Sequence, residues 1–172
     1  MVTLTKTEVL HITPPPSGTD TEKSPVFSVL YVDETMSLVD IVCRYLERGG
    51  EMVANASNSV EDAINKMRYI SYDVIITDYN FEDGSGNALL KNVRGHSNQT
   101  PFVYFLLSRT ENLENEARAY GNVTFIEKLK SDPKSWSSTL YQAVKTAALK
   151  SSGKNNKMTA DAAVPCFRET GA

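Results

Sequence analysis

Five short strand-like runs, each followed by a stretch of helical period, constrain this chain more than any other feature. The runs are PVFSVLYVD (25–33), EMVANAS (51–57), DVIITD (73–78), PFVYFLLS (101–108) and NVTFIEK (122–128). Their β-branched and aromatic content suits a pleated sheet. After the first, Leu38, Ile41, Val42, Tyr45 and Leu46 recur at helical spacing. Val60, Ala63, Ile64 and Met67 repeat the pattern, as do Ala88, Leu89, Leu90 and Val93. Leu113, Ala117 and Tyr120 mark a fourth helix, and Trp136, Leu140, Ala143, Val144 and Ala147 a fifth. Gly49-Gly50 and Gly121 read as helix stops, and Asn58 or Ser59 as an N-cap. Near-continuous apolar strands need cover on both faces. The expected fold class is therefore α/β, a doubly wound five-stranded parallel sheet with helices on either side.

The 172 residues suit one domain with tails. Residues 1–24, with Pro14, Pro15 and Pro16, read as a flexible leader, and residues 25–150 as the folded domain. Residues 151–172 read as a second flexible tail, too short for a helix-turn-helix output unit. A formal net charge of −3 gives no basic excess, so nucleic acid is not an expected partner. No apolar stretch approaches the ~20 residues of a membrane span, and no signal-peptide core is visible. The expectation is no membrane partner and a cytoplasmic location. Cys43, Cys166, His11 and His96 lack metal-ligand spacing and read as a core thiol, a tail thiol and two surface histidines.

In open parallel sheets ligands bind beyond the carboxyl ends of the strands. There the sequence places Asp33-Glu34, Asp78, Ser108-Arg109 and Lys128. Clustered carboxylates repel one another unless a cation neutralises them. A hard ion such as Mg²⁺, bound through a few oxygens and several waters, suits such a rim. Lys128 offers a positive charge to a carboxylate or a phosphoryl oxygen, and Ser108 a neutral hydrogen bond. Together they make a site for a dianionic phosphoryl group beside a metal. Plainer roles stand beside these: helix capping for Asp33-Glu34, turns for Asp73 and Asp83, and packing for Phe125 and Trp136.

The stretches VLYVDE, DVIITDYNFEDGSG and GNVTFIEK, in that order, resemble the receiver domain of two-component response regulators. The resemblance spans about residues 26–148. The separations 78 − 33 = 45, 108 − 78 = 30 and 128 − 108 = 20 are similar to the family's. It implies a flavodoxin-like (βα)5 fold with Asp78 as phosphoacceptor. Asp33, Glu34, Asp78 and the backbone carbonyl of Asn80 would hold Mg²⁺. Ser108 and Lys128 would contact the phosphoryl group, and Phe125 would occupy a switch position. The implied partners are a sensor histidine kinase or phosphotransfer protein and a downstream protein. Homodimerisation is left open, as is membership of a larger hybrid protein. The implied output face is formed by the fourth helix, fifth strand and fifth helix, with Tyr104 or Phe125 beneath Arg109, Arg118 and Tyr120. Such a domain catalyses its own phosphorylation and dephosphorylation and is not a conventional enzyme.

Three departures stand out. Glu82 and Leu129 stand where the family often has proline. Counting from Asp78 puts Ser108 at the hydroxyl position, whereas counting from Pro101 puts Leu106 there; the hydroxyl's chemistry favours Ser108. The alternative function is a pseudo-receiver, an interaction module of the same fold that is not phosphorylated. A nucleotide hydrolase is disfavoured, because no Gly-Lys-Ser/Thr loop is present.

Overall fold

The computed structural model describes residues 26–128 and 133–160, with the side chains of 133–135 and 154–160 outside that description. In chain order the elements are β1 (Phe27–Val32), α1 (Met36–Glu47), β2 (Met52–Ser57), α2 (Val60–Met67), β3 (Val74–Thr77), β4 (Asn80–Phe81), β5 (Gly84–Ser85), α3 (Gly86–Gly95), β6 (Phe102–Leu106), α4 (Glu111–Ala119), β7 (Val123–Glu127) and α5 (Pro133–Ala160). Five strands form one parallel sheet in the order β2-β1-β3-β6-β7. The two-residue strands β4 and β5 form a separate antiparallel hairpin, which the sequence reading took only as a glycine turn.

Both faces of the sheet are covered, as the apolar strands require. Strand residues alternate between faces. Val29, Tyr31, Ile76, Val103 and Phe105 pack with Val39, Val42 and Leu46 of α1 and with Trp136, Leu140 and Val144 of α5. Leu30, Val32, Ile75, Tyr104 and Leu106 pack with residues of α2, α3 and α4. Ser59 caps α2 by accepting the Asp62 N–H at 3.1 Å. Gly50 and Gly121, at φ +69° and +70°, let the chain leave α1 and α4 through the left-handed region. Cys43 lies half-buried against the α1/α5 layer, and burial pushes its thiol up to about 11.

Helix α5 continues past residue 150 to Ala160, into the segment expected to be flexible tail. The packed turns through Ala148 provide the nucleus, and extending a formed helix costs little. The leader 1–24, residues 161–172, His11, Cys166 and Leu129 lie outside the described residues. No described helix is long and apolar enough to cross a membrane.

The chain winds one way from β1 to β2 and the other way from β3 through β7. The strand order therefore reverses between β1 and β3. Crevices form at such a reversal, beyond the carboxyl ends of the two strands.

Candidate functional site

Three polar residues sit one position beyond the last paired residue of a central or edge strand. Val32 pairs with Thr77, so Asp33 and Asp78 are the next residues on β1 and β3, and the Asp78 N–H donates to the Val32 carbonyl at 3.0 Å. Leu106 pairs with Glu127, and the Lys128 N–H donates to the Leu106 carbonyl at 2.6 Å. The Lys128 side chain crosses the end of β6, with Nζ 5.3 Å from the Phe105 ring centroid. It donates to Asp33 Oδ2 at 2.6 Å and to Asp78 Oδ2.

Lys128 is 8 % and Asp33 1 % exposed, so these charges persist there only because they are paired. One ammonium between two carboxylates leaves the cluster net negative, and Glu34 adds a further charge nearby. The remaining lone pairs are held too. Asp33 Oδ1 accepts the Thr35 N–H at 2.8 Å and Asp33 Oδ2 the Tyr31 hydroxyl at 2.8 Å. Asp78 Oδ1 accepts the Tyr79 N–H at 2.6 Å. Asp33 thus performs part of the capping role as well, steadying the backbone just ahead of α1. Burial, and then the Asp33 carboxylate, hold the Tyr31 hydroxyl far above the ordinary tyrosine range, so it remains a donor.

The hairpin after Asp78 is tied down on several sides. Glu34 Oε1 accepts the Glu82 N–H. Asp83 accepts the N–H groups of Val60 at 3.1 Å and Glu61 at 2.8 Å, capping α2 from outside. Gly86 donates its N–H to the Tyr79 carbonyl at 2.7 Å and lies hard against the Asp78 carbonyl. Asn80 opens the hairpin and pairs with Ser85.

The oxygen-rich donor set suits a hard cation. Even so, among the described residues no three His, Cys, Asp or Glu side chains are grouped as metal ligands. The reason is local: Lys128 stands between Asp33 and Asp78, and Glu34 is turned to the hairpin backbone. A cation sharing this rim would rely on the carboxylates and a backbone carbonyl, as Mg²⁺ sites with few protein ligands do.

One expected site residue lies away from the cluster, and the alternative position lies at the strand tip. Ser108 is exposed, two residues past the end of β6, and its hydroxyl has no hydrogen-bond partner among the described residues. Leu106 holds the strand tip, 1 % exposed, with its side chain in the α2/α3/α4 layer. Pairing with β7 ends the strand there, and the chain turns before a hydroxyl is reached.

The aromatic at the expected switch position is firmly placed. Phe125 stacks on Tyr104 with centroids 5.1 Å apart, and Arg118 and Arg109 lie over it at 4.9 and 5.6 Å. The Tyr104 hydroxyl donates to Asn87 Oδ1 at 2.7 Å, and Asn87 donates to Glu116 at 2.7 Å. This link, buried at Tyr104 and Asn87, joins β6, α3 and α4. Trp136 packs on Phe105 at 5.2 Å. Asp73 accepts the Ser28 N–H at 2.8 Å, a structural role at the far end of the sheet. His96 lies exposed at the end of α3.

Sequence reasoning missed Tyr31 and undervalued Asp83. Strand alternation alone puts Tyr31 on the same face as Asp33, a signal that was available. Asp83 reads as an ordinary turn residue, and its partners lie more than twenty positions upstream.

Known proteins fit this geometry. No curated protein sequence matches the chain. Among solved structures, the chemotaxis response regulator CheY4 of Vibrio cholerae is 26% identical with TM-score 0.60, over 69% of this chain and 98% of that one. The signal receiver domain of a putative Luxo repressor protein from Vibrio parahaemolyticus is 19% identical with TM-score 0.67, over 75% and 95%. A two-component response regulator from Clostridium difficile is 23% identical with TM-score 0.61, over 70% and 94%. The family model described as response regulator receiver domain matches residues 29–135, more than half of the chain and all three strand-end residues of the cluster. With the doubly wound sheet and the acid–lysine cluster at its reversal point, that match makes this chain a member of the response regulator receiver domain family.

Proposed function

We propose that the chain is a phosphoacceptor: Asp78 takes a phosphoryl group from a phosphohistidine of a sensor histidine kinase or phosphotransfer protein. The observation that carries this reading is Lys128, held on Asp33 and Asp78 at once across three strand ends. In the transfer, a carboxylate oxygen of Asp78 attacks phosphorus in line, the P–N bond breaks as the P–O bond forms, and the imidazole leaves with its electron pair. Lys128 then pairs with a phosphoryl oxygen. Asp33, Glu34, Asp78 and the Asn80 carbonyl are the groups that would hold Mg²⁺. When bound, the ion neutralises charge on the phosphoryl oxygens. The chain would signal by protein contact, through the face carrying Phe125, Arg109 and Arg118, and would turn over no external substrate.

One observation favours a second reading. Leu106 offers no hydroxyl at the β6 tip, which suits an interaction module that is not phosphorylated. Acetyl phosphate with and without Mg²⁺, read by intact mass on wild type and Asp78→Asn, separates the two. The first reading expects a Mg²⁺-dependent single adduct that the variant lacks. No adduct, together with no response to beryllofluoride, would favour the second.

A further inference from the structure

Tyr31 is fully buried in β1, in the apolar layer shared with Phe105, whose ring centroid is 6.4 Å away. A phenylalanine would fill the same space without bringing a hydroxyl into that layer, where an unpaired one is costly. Among the described residues the hydroxyl donates to Asp33 Oδ2, at 2.8 Å. The same oxygen receives Lys128 at 2.6 Å, and Lys128 also holds Asp78.

Lys128 is therefore shared, and a phosphoryl oxygen on Asp78 would compete with Asp33 Oδ2 for it. Any weakening of that pair would leave Asp33 Oδ2, on a carboxylate only 1 % exposed, with less of the ammonium it is paired with here, a costly change. The Tyr31 O–H is already seated on that oxygen and needs no rearrangement. We propose that Tyr31 is a positioning residue of the phosphoryl site, whose hydroxyl holds Asp33 Oδ2 while Lys128 is drawn onto the phosphoryl group. This rests on the receiver reading of the site. The ion pair alone stabilises the resting state, and Tyr31 lowers the cost of leaving it.

The inference separates two binding events. Mg²⁺ alone leaves Lys128 on Asp33, whereas a phosphoryl mimic draws it away. Trp136, the single tryptophan, packs 5.2 Å from Phe105, the ring beneath Lys128, and is the fluorophore to follow. Fluorescence titrations would use Mg²⁺ alone, then beryllofluoride at saturating Mg²⁺, on wild type, Tyr31→Phe and Tyr104→Phe. Tyr104→Phe also removes a buried phenol hydroxyl, but one directed to Asn87. Tyr31→Phe is expected to change Mg²⁺ affinity by less than about two-fold and to weaken beryllofluoride about ten-fold or more, the scale of a hydrogen bond to a charged group. Tyr104→Phe is expected to change neither by more than about two-fold. Equal losses for both ligands in Tyr31→Phe, unchanged beryllofluoride affinity, or the same loss in Tyr104→Phe would overturn the inference. If wild type itself fails to bind beryllofluoride with Mg²⁺, the receiver reading fails, and this inference with it.

Discussion

Gly86 opens α3 immediately after the hairpin that follows Asp78, and its backbone packs against the Asp78 carbonyl. A Cβ there would lie well inside contact with the Asp78 carbonyl oxygen and 3.0 Å from Tyr104 Cε1. The carbonyl is backbone and cannot swing aside like a side-chain tip, and Tyr104 is fully buried and tethered to Asn87. Gly86→Ala must therefore push the Asp78 peptide or the start of α3. Forced overpacking typically costs about 1–3 kcal/mol. Restricting the unfolded chain returns about 0.4–1 kcal/mol. The net loss is about 1–2 kcal/mol, or roughly 2–8 °C in Tm at this chain length. Gly95, at the other end of the same helix, has nothing within 4 Å of a built Cβ. Gly95→Ala should lose nothing and gain up to about 1 kcal/mol. Urea titrations followed by Trp136 fluorescence compare the two directly. Equal midpoints for Gly86→Ala and wild type would refute the close-approach argument.

Other outcomes follow from the same contacts. Ser108→Ala should leave beryllofluoride affinity within about two-fold, since the hydroxyl is exposed and has no partner among the described residues, while Leu106→Ala should cost about 2–5 kcal/mol by emptying a buried site; a large loss of affinity in Ser108→Ala would give the hydroxyl role to that residue. Tyr104→Phe should cost about 1–2 kcal/mol in urea midpoint measurements, because Asn87 Oδ1 loses its donor. Lys145 and then Tyr141 hold Glu51 below the usual glutamate range, as Arg109 and then Arg118 hold Glu114. Depressed carboxylates contribute stability above the unfolded value of 4.5 and lose it as pH falls through the lower folded values. The urea midpoint should therefore decline with acid below that point, and Glu51→Gln should flatten the decline; an unchanged acid profile in the variant would contradict the assignment.

The sheet was legible because burial on both faces leaves a local mark, a run of apolar residues between helical periods. Asp33, Asp78 and Lys128 were legible for a related reason. Each is the first polar residue after such a run, and parallel strands bring their carboxyl ends to one rim. The choice between Ser108 and Leu106 was not legible because the end of β6 is not set locally. Leu106 and Leu107 continue the apolar run, but only Leu106 finds a partner on β7, and Leu107 is exposed. The hairpin also escaped notice, since two-residue strands carry no period. The tie between Asp83 and α2 depends on how the hairpin docks, which no short window of sequence encodes.

Asp78 is the residue proposed to accept the phosphoryl group. Treating acetyl-phosphate-labelled, Mg²⁺-loaded protein with borohydride reduces an aspartyl phosphate to homoserine, which peptide mass mapping locates. The account predicts homoserine at position 78 alone, dependent on Mg²⁺ and lost when Lys128 is replaced by alanine. Modification at Asp33 or Asp83, or none in a preparation that carries the phosphoryl adduct, would contradict it.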